Sequence, residues 1–340
     1  MSRRWRNIFF IAGLASVVIM ILVMQSDWQS AMGVLSKAGI WFPVIVLMWA
    51  VVYLMNAVSY GLIVREKDWR GVPFARIIQL TVSGYALNYV TPFGLLGGEP
   101  YRIMELSGYV GKKKAVSSTI LYSMMHVCSH FCLWMTGIAV YPALHFFADA
   151  GKYPLGAGMV CMLSVMAGVF CCVLYLFSLG YRKGFVVKVF GLLCRMPLVR
   201  RWAVGYKESH IRQLTVIDGQ IASLHSQRRA PFWGSLLMEY AARVFSSMEY
   251  WLLIGLFVPG FTFLDGLLAL AFSSLFSNLV FFSPMQLGGH EGGLAIAAGG
   301  LQVPGIYGVY VALITRVREL VWTVTGILLM KLTVKGKTDD

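Results

Sequence analysis

Apolar stretches recur along the chain, separated by short polar and basic segments. Roughly 20 apolar residues suffice to cross a bilayer as a helix. Stretches of that kind fit at about residues 8–24, 41–64, 115–141, 155–180, 231–258 and 306–331. Two others, 74–106 and 264–301, are too long for one span, and each is broken near its middle by Pro and Gly. The pattern predicts an all-α polytopic membrane protein, a single transmembrane domain over 1–340. It has about six full spans plus two re-entrant helical hairpins.

The breaks share a motif. Thr91 to Glu99 reads TPFGLLGGE and Ser283 to Glu291 reads SPMQLGGHE, so both obey Ser/Thr-Pro-x-x-Leu-x-Gly-x-Glu. Pro lacks an N–H and stops a helix, and Gly permits a tight turn. The hairpin tips are therefore placed at Pro92, Gly97 and Gly98, and at Pro284, Gly288 and Gly289. Each arm of the first hairpin, 77–90 and 93–106, would reach about 21 Å, short of a ~30 Å hydrocarbon core. Broken backbone at that depth must be buried in protein or line a wet cavity.

Charge sets the orientation. Basic residues crowd the segments before residue 8, from Arg65 to Arg76, at Lys112 to Lys114, from Arg182 to Arg229 and from Lys331 to Lys337. Only Lys37 and Lys152 fall on the opposite side. The positive-inside rule puts both termini in the cytoplasm. The first hairpin then enters from the cytoplasm and the second from outside. Oppositely oriented broken hairpins with one tip motif are the mark of an inverted repeat with a midplane site. The basic segment 181–230 reads as amphipathic and cytoplasmic, held by anionic lipid. The net charge of +14 belongs to this asymmetry and is no argument for nucleic acid.

A charge at the bilayer centre costs about 2.5–3.5 kcal/mol on insertion scales. This chain keeps many. Candidate substrate-binding residues are Glu99 and Arg102 in the first hairpin, Glu239 and Arg243 in the span from Pro231, His290 and Glu291 in the second hairpin, and Arg316, Arg318 and Glu319 in the last span. Glu239 and Arg243 are spaced i, i+4 and Arg316 and Glu319 i, i+3, so each pair shares a helix face. Pairs of this kind can simply neutralise one another and tie helices together. Both signs at one site suit a zwitterionic or aminoacylated phospholipid, since Arg forks match phosphate oxygens and carboxylates accept from an amine. Glu99 and Glu291 are also candidates for carrying protons.

Other motifs fall away. HEGGL, from His290, has Leu294 where a zinc protease needs its second His. In MHVCSHFC the pair His126 and His130 lies on a different helix face from Cys128 and Cys132, so one metal cannot take all four. No metal or cofactor is expected. The six cysteines form no CxxC pair and read as packing residues. No GxxxxGK[ST] loop is present. Trp28, Trp41 and Tyr153 read as interfacial anchors. A cleaved signal peptide at the N-terminus is disfavoured because the run from Ile8 to Met24 is long and no cleavage site follows.

TPFGLLGGEPYR, SPMQLGGHEGGLA and TRVRELVWTVTG together resemble the lysylphosphatidylglycerol synthase transmembrane-region family, the flippase-like domain. The resemblance implies a helical domain of the bacterial inner membrane, similar to the flippase part of the multiple peptide resistance factors. Glu99 and Arg102 match the first motif and Glu291 the second. Arg316 and Arg318 both fit the arginine of the third. His290 stands where relatives often carry Arg or another polar residue. No soluble transferase domain follows Lys331, so the expected function is movement of a phospholipid between leaflets rather than catalysis. A separate lipid synthase and a second copy of the chain are candidate partners. The alternative is a membrane-embedded enzyme or enzyme subunit acting on lipid headgroups or polyprenyl-phosphate carriers.

Reporter fusions test the orientation. A fluorescent protein joined after Asp340 is expected to fluoresce, and alkaline phosphatase joined at the same point to stay inactive. The opposite pattern would invert the topology.

Overall fold

The computed structural model describes residues 36–65, 72–90, 97–183, 229–279 and 289–332, with a few isolated positions between 191 and 219. The expected span 8–24, Trp28, the tip residues Pro92, Pro284 and Gly288, and nearly all of the basic segment 181–230 lie outside the described residues.

Every principal element is an α-helix: α1 Trp41–Val64, α2 Phe74–Val90, α3 Gly98–Val110, α4 Lys112–Phe147, α5 Ala157–Lys183, α6 Arg229–Gly255, α7 Phe263–Leu279, α8 Gly289–Gly300 and α9 Gly305–Leu329. By length and composition, α1, α4 and α5 (over Ala157–Leu179) could each cross a membrane. The expected spans 231–258 and 306–331 are helical over α6 and α9, but neither helix is among those long and apolar enough to cross a membrane by length and composition. The expected span 115–141 is the middle of a longer helix. α4 has 36 residues and runs through Pro142, about 54 Å at 1.5 Å per residue. α5 turns Val165, Val169 and Leu176 outward, as a helix facing hydrocarbon must.

The helix contacts have a two-fold pattern. Exchange α1–α4 for α6–α9 in order, and nearly every packed pair maps onto another. α1·α2 becomes α6·α7, α2·α3 becomes α7·α8, and α3·α4 becomes α8·α9. The crossing contacts map too: α2·α9 onto α7·α4, and α4·α6 onto α9·α1. α1 against α6 is the pair that maps onto itself, and α5 packs on α4 outside the scheme.

The apolar core is divided. One cluster surrounds α7 and α8, with Leu133, Trp134, Leu253, Leu268, Leu294 and Val311 among its members. The other surrounds α2 and α3, with Tyr60, Ile77, Leu80, Tyr101, Leu121 and Met125. Polar and charged side chains fill the waist between them.

Each helix pair is pinned at its outer end. At the start of α2, Arg76 pairs with Glu105 of α3 and donates to Gln79 Oε1 at 2.6 Å. Gln79 Nε2 in turn donates to the Leu329 and Leu332 carbonyls at the end of α9. At the start of α7, buried Asp265 receives Lys152 Nζ at 2.7 Å, the Tyr153 hydroxyl at 2.5 Å and the Thr262 N–H at 2.7 Å. Tyr153 is thus a buried strut of the α4–α5 connection rather than an interfacial anchor; Asp265 draws its hydroxyl inward.

α2 and α3 cross where only glycine fits. A Cβ on Gly98 would lie 2.1 Å from the Gly84 carbonyl oxygen, which is backbone and cannot move aside. Gly98→Ala is therefore expected to lower the thermal midpoint in detergent, with an overpacking cost of about 1–3 kcal/mol or more. Gly108→Ala in the same helix meets nothing within 4 Å and is expected to leave the midpoint unchanged or raise it. Equal midpoints for the two variants would contradict the packing.

Candidate functional site: a charged waist around a polar cavity

The waist is built from the ends of α2, α3 and α8 and the middles of α1, α4, α6 and α9. Asn88 and Tyr89, consecutive at the end of α2, reach the two halves separately. Asn88 Oδ1 accepts the Gly98 N–H at 2.6 Å and its amide donates to Glu99 Oε1 at 3.3 Å. This caps α3, whose exposed N–H groups and dipole favour Glu99 in its first turn. Tyr89 accepts from Arg316 Nη1 at 2.8 Å and donates to Glu319 Oε2 at 2.5 Å.

Four arginines enter the waist, and each is satisfied differently. Arg102 is 1% exposed. It donates to Glu99 at 3.1 Å and to the Leu80 and Thr81 carbonyls at 3.3 Å, and lies over the rings of Tyr85 and Tyr122. Arg316 grips Glu291 with two parallel bonds of 2.8 and 3.2 Å. Arg318 does the same to Glu249 at 3.1 Å twice, and its guanidinium lies 3.9 Å from the centre of the Trp49 ring. Trp49 Nε1 adds a 2.8 Å bond to the same carboxylate. Glu319 sits 3.8 Å from both Arg316 and Arg318.

Arg243 is the exception. The i, i+4 spacing suggests a pair with Glu239, but His126 of α4 lies between them. His126 Nδ1 is 2.8 Å from Glu239 Oε2, and Arg243 Nη2 is 3.0 Å from His126 Nε2. Arg243 Nε donates to Ser129 Oγ at 2.5 Å. Among the described residues no carboxylate lies within ion-pair distance of Arg243.

Beside it is a cavity of about 290 Å³. Of the residues expected at the site, Arg243, His290, Arg318 and Glu319 line it. Glu99, Arg102, Glu239, Glu291 and Arg316 stand behind that lining, in the bonds just described. Gly97, Gly98 and Gly289 lie at the helix starts, where Gly98 makes the close crossing of α2. His290 Nε2 is 3.0 Å from Thr315 Oγ1. The third motif's two arginines divide their work: Arg316 holds the second tip's Glu291 and Arg318 holds Glu249 of α6.

Sequence reasoning missed several lining residues: Trp49, Tyr85, Asn88 and Tyr89, the serines and Asn278 of α7, and His126 and His130 as cavity residues. A signal existed. Ser273, Ser274, Ser277 and Asn278 recur at helical spacing in the second half of α7, and Tyr85, Asn88 and Tyr89 do so just before the first tip. Among the described residues no three His, Cys, Asp or Glu side chains gather to hold a metal.

Breaking a buried pair costs about 3–5 kcal/mol because it strands a charge. Glu249 is 0% exposed and Glu291 24%. Glu249→Gln is expected to lower the thermal midpoint more than Glu291→Gln does, and the reverse order would contradict the assignment of the pairs.

A sequence model described as the lysylphosphatidylglycerol synthase TM region matches residues 9–327, nearly the whole chain. No curated protein and no solved structure matched it. The match and the apolar helices α1, α4 and α5 make this a multi-pass membrane protein.

Proposed function

The chain belongs to the lysylphosphatidylglycerol synthase TM region family, and from that membership we propose that it moves a phospholipid between the leaflets of a bacterial cytoplasmic membrane. The observation that carries the reading is the cavity at the waist, on whose wall Arg243 makes no ion pair with a carboxylate among the described residues. Arg243 makes no hydrogen bond through Nη1 among the described contacts, so this edge of the guanidinium is available to a phosphate oxygen. Arg318, His290 and the α7 hydroxyls offer further donors. Glu319 and the tyrosines offer acceptors for an amine or hydroxyl on the headgroup, which suits a zwitterionic or aminoacylated lipid.

In this reading α2–α3 and α7–α8 are re-entrant hairpins that enter from opposite faces, and both termini are cytoplasmic. The exchange pattern of the helix contacts supports two equivalent units, and the charge asymmetry along the chain supports their opposite orientation. The acyl chains stay in hydrocarbon beside the bundle while the headgroup crosses through the waist, where it meets dipoles and charges in place of water. The basic segment 181–230 gathers anionic lipid at the cytoplasmic surface. A separate synthase supplies the lipid.

The test is transport by reconstituted protein. Vesicles containing the full chain are expected to move a fluorescent phospholipid between leaflets. Arg243→Gln is expected to slow this at least about tenfold, the loss of a charged hydrogen bond being worth 1.5–3 kcal/mol. This variant breaks no ion pair among the described residues, and its thermal midpoint in detergent reports whether it folds. Wild-type rates in Arg243→Gln would remove the site, and covalent change of the lipid would replace transport with an enzymatic reading.

A further inference from the structure

Glu239 is the waist carboxylate left without a cation. It is 1% exposed, its Oε1 makes no hydrogen bond, and among the described residues no Arg or Lys nitrogen lies within ion-pair distance. Its Oε2 lies 2.8 Å from His126 Nδ1, the Ser59 and Tyr122 hydroxyls also face the carboxylate, and His126 lines the cavity. The same imidazole meets Arg243, with Nη2 at 3.0 Å from Nε2, 3.2 Å from Nδ1 and 3.1 Å from the His126 carbonyl. One ring therefore joins a buried acid to the cation on the cavity wall.

We propose that Glu239 and His126 are a proton-binding couple that controls how Arg243 holds an anion. With Glu239 ionised, the carboxylate can only accept, so Nδ1 carries the ring proton and Nε2 accepts from Arg243 Nη2. A proton from cavity water then forms an N–H bond at Nε2. The Nδ1–H bond breaks, and that proton forms an O–H bond on Glu239 Oε2. One proton has left water, nothing is oxidised or reduced, and the ring is neutral again in its other tautomer. Nε2–H can no longer accept from Arg243. The guanidinium keeps Ser129 and the His126 carbonyl, and its freed hydrogens turn to the cavity. By linkage, an anion bound at Arg243 favours the protonated couple by the same factor. A negatively charged headgroup and a proton would then cross together with no net charge on the pair.

The groups facing the couple are few. Tyr85 of α2 places its hydroxyl 2.8 Å from His126 Nδ1 and 2.9 Å from the Tyr122 hydroxyl. Arg102 of α3, with Glu99 on its far side, acts on both His126 and Glu239 at longer range. α4 adds His130, whose ring centre is 5.5 Å from that of His126, and Tyr122 and Cys132. α6 adds Arg243. α1 brings the Ser59 hydroxyl, and α7 brings only uncharged serines and Asn278 to this part of the cavity wall.

The transport part of this proposal rests on the flippase reading; the proton site itself does not, and two measurements separate them. In the first, infrared titration of the lipid-free full chain between about pH 5 and 8 is expected to develop the carbonyl band of a protonated buried carboxyl. Glu239→Gln removes that band and His126→Gln, which keeps the acid, retains it. A band unchanged in Glu239→Gln, or no band in the native chain, overturns the couple. In the second, calorimetric titration with dioctanoyl phosphatidylglycerol in buffers of different ionisation heat is expected to show uptake approaching one proton per lipid. Both variants should show none, whatever their affinity. Uptake undiminished in the two variants, or zero uptake by the native chain across the range, overturns the linkage. A chain that binds no lipid refutes the flippase reading, and the infrared titration still decides the proton site.

Discussion

A guanidinium buried among hydrocarbon side chains must bring its compensation with it, and the arrangement of this protein follows from that need. Desolvating one ion costs several kcal/mol, which a neighbouring opposite charge repays only with close, well-aligned bonds. The waist holds Arg102, Arg243, Arg316 and Arg318, and three of them are met by carboxylates: Glu99, Glu291 and Glu249. These partners come from different helices in two of the three cases, so the pairs also fix α9 against α8 and α6. The apolar clusters above and below seal the layer and raise the cost of any mismatch. Arg243 escapes the pattern through neutral acceptors and a histidine, and it is beside Arg243 that the interior opens.

The two sets of four helices that exchange in the contact pattern do not carry equivalent sites. Both tips carry the same acid in the same motif, yet Glu99 finds its arginine three residues along its own helix and Glu291 finds Arg316 on α9. The cavity is correspondingly one-sided. α7 and α8 contribute Ser273, Ser277, Asn278 and His290 to its wall, and α3 contributes none of its lining residues. Arg102 of α3 lies over the rings of Tyr85 and Tyr122, while α7 and α8 put their polar side chains on the cavity wall.

Much of this was legible in the residues. The helix runs emerge from apolar length alone, and α1 falls on the expected boundaries, because a helix apolar all round needs no partner pattern to be recognised. The two breaks were visible because Pro and Gly are incompatible with a continuing helix. The charged candidates were visible because they are costly where they stand. The pairing was not legible. Spacing put Glu239 with Arg243, but proximity along one helix cannot reveal that His126 of another helix takes the place between them. Trp49 was passed over for the same reason: its importance arises from Arg318 and Glu249, which lie far along the chain. Tyr153, with the look of an interfacial aromatic, is buried because Asp265 draws its hydroxyl inward.

The central claim is that a phospholipid headgroup occupies the waist cavity and is held there by Arg243. An experimental structure of the full chain in nanodiscs containing phosphatidylglycerol tests it most directly. The account predicts phosphate density within hydrogen-bond reach of Arg243, with the acyl chains leaving the bundle between helices. Lipid phosphates seen only at the outer surface, with the cavity holding nothing but solvent, would contradict it.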